Sequence, residues 1–170
     1  MKLRNGLAVA LAGMLVALSL PVAPVMAGDE TATEAEVEVL PGADLSYGAR
    51  VVKSRFTLLS RRALGEPDGR GASILWKGWV VIKLESRIPD ANKISIWAGR
   101  LGWSSVSMKI YASADGRRWR KVGSARVRST HFQRYDFSGR FGEVRYIKVV
   151  WSGGRWSWLR LDAVGAEGGD

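Results

Sequence analysis

Residues 108–119, which read MKIYASADGRRW, contain the pattern that decides the fold. Met108, Ile110 and Ala112 recur at every second position, which is the period of a β-strand with one side facing a core. Asp115-Gly116 follows as a turn signal. This stretch therefore predicts a half-buried strand that ends in a tight turn, and it does not fit the period of a helix.

The same period of two recurs through the chain after residue 45, and turn signals separate the runs. Short strands with this spacing predict an all-β fold, an antiparallel β-sandwich of the jelly-roll type without helices. The alternating runs are Val80/Ile82/Leu84, Ile94/Ile96, Tyr135/Phe137, Ile147/Val149 and Leu159/Leu161/Ala163, and the turn signals are Pro67-Asp68-Gly69, Pro89-Asp90, Ser138-Gly139 and Ser152-Gly153-Gly154.

Four short motifs carry a family resemblance in their order and spacing. They are ALGEPDG at 63–69, SADGRRW at 113–119, VRYIKV at 144–149 and LDAV at 161–164. Together they resemble the discoidin-like (coagulation factor type C, galactose-binding-like) domains over about residues 50–164. The resemblance implies a jelly roll of about eight strands that binds glycans, phospholipid headgroups or proteins through loops at one end. It does not choose among those ligands.

The resemblance also implies a structural calcium ion. Asp68 in the early loop and Asp162 in the closing strand occupy the two acidic positions of that site. Calcium takes about six to eight oxygen ligands, and the backbone carbonyls of a tight loop supply many of them. Arg70 departs from the family pattern by placing a positive charge nearby. The alternative is an ordinary β-turn, with the aspartate paired to a neighbouring arginine.

The first 27 residues have the three-part pattern of a secretory signal. A basic start with Lys2 and Arg4 precedes the apolar stretch 6–20, and Val25-Met26-Ala27 has the small-residue spacing of a cleavage site. We expect cleavage near Ala27 and a secreted or cell-surface protein, with an uncleaved membrane anchor as the alternative. The sequence contains no cysteine, so disulfides and a lipoprotein anchor are excluded.

Charge divides the remaining chain. Residues 28–44 form a leader with six acidic and no basic residues, whereas the chain from residue 45 onward carries a net charge of +14. We expect 45–166 to form the discoidin-like sandwich and 167–170 to be a C-terminal tail. The asymmetry predicts an anionic partner or self-association through the leader, and solubility is the alternative explanation.

Trp156 and Trp158 are the strongest candidates for ligand binding. If Leu159, Leu161 and Ala163 face the core, alternation turns Trp156, Trp158, Arg160 and Asp162 outward. Exposed indoles suit the apolar faces of sugar rings, and Arg155 and Arg160 beside them suit carboxylate or sulfate groups. The alternative is that both indoles are buried under a loop.

A second candidate is the basic run around Trp119, which we expect to be a core residue. Arg118 and Arg120 lie within this run, and Arg126 and Arg128 follow on the next one. Such a stripe attracts acidic polysaccharide, anionic lipid headgroups or DNA by counterion release, without specific recognition of nucleic acid. A solvated sheet face is the alternative.

Catalytic chemistry is not indicated. His131 is the only histidine, and the sequence offers no nucleophile triad, no metal-ligand cluster and no phosphate-binding loop. The sequence thus predicts a secreted, non-catalytic carbohydrate-binding or adhesion module with no cofactor beyond a calcium ion. The alternatives are a self-assembling surface protein and a module that binds anionic polymer or lipid.

Overall fold

The computed structural model describes residues 45–154 and 156–169. The signal segment 1–27 and the acidic leader 28–44 lie outside the described residues. No helix in the described ranges has the length and apolarity needed to cross a bilayer. The described elements are six strands and a single 3₁₀ turn: β1 (Ser46–Leu58), the 3₁₀ turn (Ser60–Ala63), β2 (Ala72–Gly102), β3 (Val106–Ser113), β4 (Arg120–Val127), β5 (Gln133–Gly153) and β6 (Ser157–Gly168).

Strand β2 is long enough to take part in two layers. Leu159 of β6 pairs with Ile74 near the start of β2 and with Arg100 near its end, so β6 lies between the two arms of β2. Register shifts on either side of Ile88 mark the bend between those arms. Strand β5 bends in the same way, because its first half pairs with the second arm of β2 and its second half with the first arm.

The strands therefore form two antiparallel layers. The front layer contains β1, the first arm of β2, the second half of β5, β3 and β4, in that order. The back layer contains the first half of β5, the second arm of β2, and β6. The predicted fold class, an antiparallel β-sandwich, is confirmed.

The core lies between the two layers and follows the predicted alternation. Its side chains come from alternate positions because successive residues of a strand point to opposite faces. Each fully buried large aliphatic side chain contributes about 1.5 to 3 kcal/mol to folding. The largest buried members include Ile74, Ile82, Leu84, Ile94, Ile96, Met108, Ile110, Ile147, Leu159 and Leu161.

Strand length and two turns differ from the sequence prediction. Pro89-Asp90 and Ser138-Gly139 do not end strands but lie inside β2 and β5, which continue through them. A proline is accommodated in a strand at a bulge, where the ladder is already interrupted. Strand β6 continues to Gly168, two residues beyond the predicted domain end. A 3₁₀ turn is present where no helix was predicted.

Candidate ligand-binding surfaces

One end of the sandwich carries an open cleft lined mainly by indoles. Its volume is about 630 Å³. Three of its tryptophans are strongly exposed, with exposed fractions of 80% for Trp156, 63% for Trp76 and 42% for Trp158. We call it the tryptophan cleft, and its lining residues are Trp76, Trp151, Gly154, Trp156, Ser157 and Trp158.

A smaller cleft of about 270 Å³ adjoins the tryptophan cleft, and Trp156 and Trp158 line both. Trp103 and Leu101 line it together with Trp156 and Trp158, and Trp103 is 95% exposed. Exposed apolar surface of this extent on a folded domain usually marks an interaction site.

The turn between β5 and β6 fixes the orientation of the indole pair. Trp156 has a φ of 61°, in the left-handed region that an L-residue enters only when the surrounding structure requires it. Gly154 precedes it with a φ of 124°, and a Cβ there would lie 2.7 Å from a backbone carbonyl oxygen. The Ser104 N–H donates to Ser157 Oγ at 2.8 Å, and Trp151 Nε1 donates to the Ser157 carbonyl at 3.3 Å.

The exposure predicted for Trp156 and Trp158 is confirmed, whereas their binding role stays a prediction. Leu159 is fully buried and Trp158 points outward, as alternation required. Arg160 is not brought to the cleft, because its guanidinium lies over the Phe132 ring at 4.5 Å. Arg155 lies outside the described residues.

Asp162 does not share the outward side with Trp158, so that part of the prediction is wrong. The register of β6 against β2 shifts between the pairs Trp97–Ala163 and Ala98–Leu161, and Asp162 occupies the resulting bulge. Its exposed fraction is only 2%. The Gly69 N–H donates to Asp162 Oδ2 at 3.1 Å, which connects the early loop to the closing strand.

The surroundings of Asp162 fit a bound cation. Its Oδ1 is buried and has no hydrogen-bond partner among the described residues. Burial raises the pKa of Asp162, and the neighbouring Asp68 carboxyl raises it further. The hydrogen bond from the Gly69 N–H lowers this pKa but does not outweigh the rise. Asp68 Oδ1 itself accepts the Arg70 N–H at 2.8 Å. The described residues hold no group of three acidic, histidine or cysteine side chains, so further ligands to a calcium ion have to be carbonyl oxygens or water.

A cleft on the outer face of the front layer was not predicted from the sequence. Its volume is about 380 Å³, and Trp79, Trp119 and Tyr146 line it. The Lys148 ammonium lies 4.9 Å from the centre of the Trp79 ring and 5.7 Å from that of Trp119. Trp119 is thus partly exposed in a cleft, and the prediction that it belongs to the core is wrong. Alternation placed Trp79 and Lys148 outward, but only the pairing of β2 with β5 brings them together.

Arg118 and Arg120 line a separate cleft of about 460 Å³ on another side of Trp119. Arg120 donates to the Arg140 carbonyl at 3.1 Å, and Glu143 also lines this cleft. The Asp115 carboxylate holds the preceding turn by accepting the N–H groups of the two residues after Gly116, at 2.8 and 2.9 Å. These bonds lower the pKa of Asp115 to about 2.

Known proteins match this chain by structure and not by sequence. No protein-family profile matches it, and no curated protein matches it. CBM32-1 from a family 31 glycoside hydrolase of Clostridium perfringens superimposes with a TM-score of 0.56 at 16% identity, covering 72% of this chain and 96% of its own. Reduced XRCC1, in its complex with the DNA polymerase β catalytic domain, gives 0.58 at 13% identity, with coverages of 74% and 99%. Identities this low show the fold alone, and the predicted galactose-binding-like, discoidin-like β-sandwich is confirmed.

Proposed function

We propose that this protein is a secreted, non-catalytic carbohydrate-binding module that holds a glycan in the tryptophan cleft. The observation that carries the proposal is the set of exposed indoles lining two adjoining clefts around Trp156 and Trp158. The flat faces of these rings match the apolar faces of sugar rings, and the indole N–H groups match their hydroxyls.

The known structures support this proposal only through the fold. One of them is a carbohydrate-binding module, and the other is bound to a polymerase domain. Because one fold occurs in both proteins, the fold does not identify the ligand, and the proposal depends on the residues of the site. An open aromatic cleft with few charged groups favours the sugar.

Affinity electrophoresis in gels containing xylan, galactomannan, galactan or hydroxyethylcellulose tests the proposal. We expect at least one of these neutral polysaccharides to retard the protein. Truncation of a tryptophan at the centre of a binding site costs about 2 kcal/mol or more, so Trp158→Ala should weaken binding about thirtyfold. Trp156→Gly should weaken it as well, and the backbone of the turn should tolerate this change because glycine adopts a φ of 61° without strain.

Trp97→Phe is the matched control. Trp97 lies on the outer face of the back layer, against Tyr47 and under Arg134, and lines neither of the two clefts. This variant should bind as the parent does. The proposal would be contradicted if none of the polysaccharides retarded the parent. It would also be contradicted if Trp158→Ala and the parent were retarded equally.

We also propose that a calcium ion bridges Asp68 and Asp162 as a structural element. The buried, unpartnered Asp162 Oδ1 supports this proposal, because a cation would supply the missing partner and offset the charge burial. A ligand that binds only the native state stabilises it by about 2.7 kcal/mol at a hundredfold excess over Kd.

Melting curves with calcium and with chelator test the ion site. The parent should melt several degrees higher with calcium, and Asp162→Asn should melt alike in both. Glu66→Gln is the control, because it removes a nearby carboxylate that is not one of the two proposed ligands. If added calcium does not change the melting temperature of the parent, the proposed calcium site is absent.

A further inference from the structure

The outer face of the front layer presents one row of cross-strand side chains over five strands. Cross-strand partners share a face of the sheet, so the row follows from the register. From β1 to β4 it runs Lys53, Val81, Lys148, Tyr111, Lys121, and Val81 forms its floor with an exposed fraction of 6%. Neighbouring strands lie about 4.8 Å apart, so the row is about 19 Å long.

Aromatic side chains flank the middle of this row. Trp79 lies in the next row toward one end of the sandwich, and Tyr146 lies in the next row toward the other. Trp119 joins them from beyond the Asp115 turn, and all three rings line one cleft with Val81 and Lys148. Lys148 is therefore held between indole faces while its ammonium group remains at the cleft.

The cations of this face have no acidic ion-pair partner among residues 45–154 and 156–169. Like charges also face each other directly, since Arg50 and Lys83 are cross-strand partners. Such an arrangement weakens the fold slightly and leaves the charge available to an anion. These cations are Arg50, Lys53, Arg55, Lys83, Lys109, Lys121, Arg126 and Lys148.

We propose that this row, which we call the front-face groove, binds a linear acidic polysaccharide of the polyuronate class. Its residues are distinct from those of the tryptophan cleft. Sugar rings stack on Trp79 and Trp119, and their carboxylates meet Lys148 and the lysines at either end of the row. The proposal goes beyond the neutral-glycan site and does not depend on it.

The spacing of the cations selects an extended polymer. Lys53, Lys148 and Lys121 stand on every second strand, about 10 Å apart. In an extended polysaccharide whose successive rings alternate in orientation, carboxylates on one side recur at every second ring. The apolar stretch between two lysines then receives a ring, and each lysine receives a carboxylate.

Polygalacturonate and its fully methyl-esterified form provide a probe pair with one backbone and different charge. Titration calorimetry in 150 mM salt should show binding of the acid and not of the ester. Lys148→Met keeps an unbranched side chain between the indoles and removes the charge. It should weaken binding about tenfold, as expected for loss of one charge-assisted hydrogen bond. Lys121→Met, at an exposed edge where folding is not at risk, should weaken it in the same direction.

Arg61→Met is the matched control, because it removes one exposed positive charge from the 3₁₀ turn and should change the affinity less than twofold. Trp158→Ala should leave polygalacturonate binding intact, and Lys148→Met should leave neutral-polysaccharide binding intact. The two sites can therefore fail separately. The proposal would be overturned if the parent bound neither polymer, or if it bound the acid and the ester equally. It would also be overturned if both lysine variants kept the affinity of the parent, or if oligothymidylate bound as tightly as polygalacturonate.

Discussion

The two outer faces of the sandwich use charge in opposite ways. On the back face, Arg134 Nε lies 2.7 Å from Asp136 Oδ1, and Lys93 Nζ lies 3.2 Å from Glu167 Oε2. Ser95 Oγ donates to Asp136 Oδ1 at 2.6 Å. On the front face, Lys148 lies beside two indole rings, and the cations form no ion pair within the described residues. Paired charges stabilise a face, whereas unpaired charges of one sign leave it able to bind a partner.

The same contrast appears in the carboxylates of the back layer. Burial alone would raise the pKa of Asp136, but hydrogen bonds from Ser95 and Arg134 outweigh it and hold the pKa below its ordinary value. Asp162 has one hydrogen-bonded oxygen and one orphan, and burial holds its pKa above the ordinary value. The back layer therefore contains one carboxylate whose hydrogen bonds offset its burial, Asp136, and one that has an oxygen without a partner among the described residues, Asp162.

The largest expected effect comes from removing a partner on the back face. Asp136→Ala leaves Arg134 without its carboxylate and Ser95 without its acceptor, so it should destabilise the fold by about 1 kcal/mol. Lys148→Met on the front face breaks no ion pair of the described residues and should change stability by less than about 0.5 kcal/mol. Urea denaturation of both variants measures the difference. Equal losses would show that the two faces do not differ in this way.

Opposite pH dependences should separate the two carboxylates. Because the folded-state pKa of Asp136 is lowered, its stabilisation is present above the unfolded-state pKa and is lost as the pH falls through the folded value. Because the folded-state pKa of Asp162 is raised, the unfolded state ionises first, and stability falls as the pH rises from the unfolded-state pKa to the folded-state pKa.

Relative to the parent in chelator, Asp136→Asn should become less stable as the pH rises from 3 to 6, and Asp162→Asn should become more stable. Denaturation series at both pH values measure these changes. If the two variants shift in the same direction, at least one carboxylate does not have the environment described.

The smallest expected effect is a gain on the front face. Lys83→Glu replaces a like-charge pair with an opposite-charge pair across from Arg50, and such cross-strand pairs are worth about 0.2 to 1 kcal/mol. Stability should therefore rise while polygalacturonate binding falls. Lys93→Glu, which breaks the pair with Glu167 on the back face, is the counterpart and should lower stability. A loss of stability in Lys83→Glu would mean that this cation has a structural role.

Strand character and side-chain parity were readable from the sequence. The period of two placed Ile82, Ile110 and Ile147 in the core, and the buried Leu159 beside it turned Trp158 outward. Alternation is a property of each strand by itself, so a single strand is enough to reveal it. The Asp115-Gly116 turn was equally local, because the hydrogen bonds of its carboxylate in the described chain reach residues within three positions.

Tertiary structure alone decided which outward side chains meet. The bulge at Asp162 reverses the parity of its strand, and a one-residue shift of this kind depends on pairing with β2 rather than on the residues of β6. Lys148 and Trp79 were both expected to face outward, but they are 69 positions apart in the sequence, and only the register of β5 against β2 places them in one cleft. The sequence thus determined the strands and the side each residue takes. The pairing of distant strands determined the binding surfaces, because register is set by contacts that no local pattern contains.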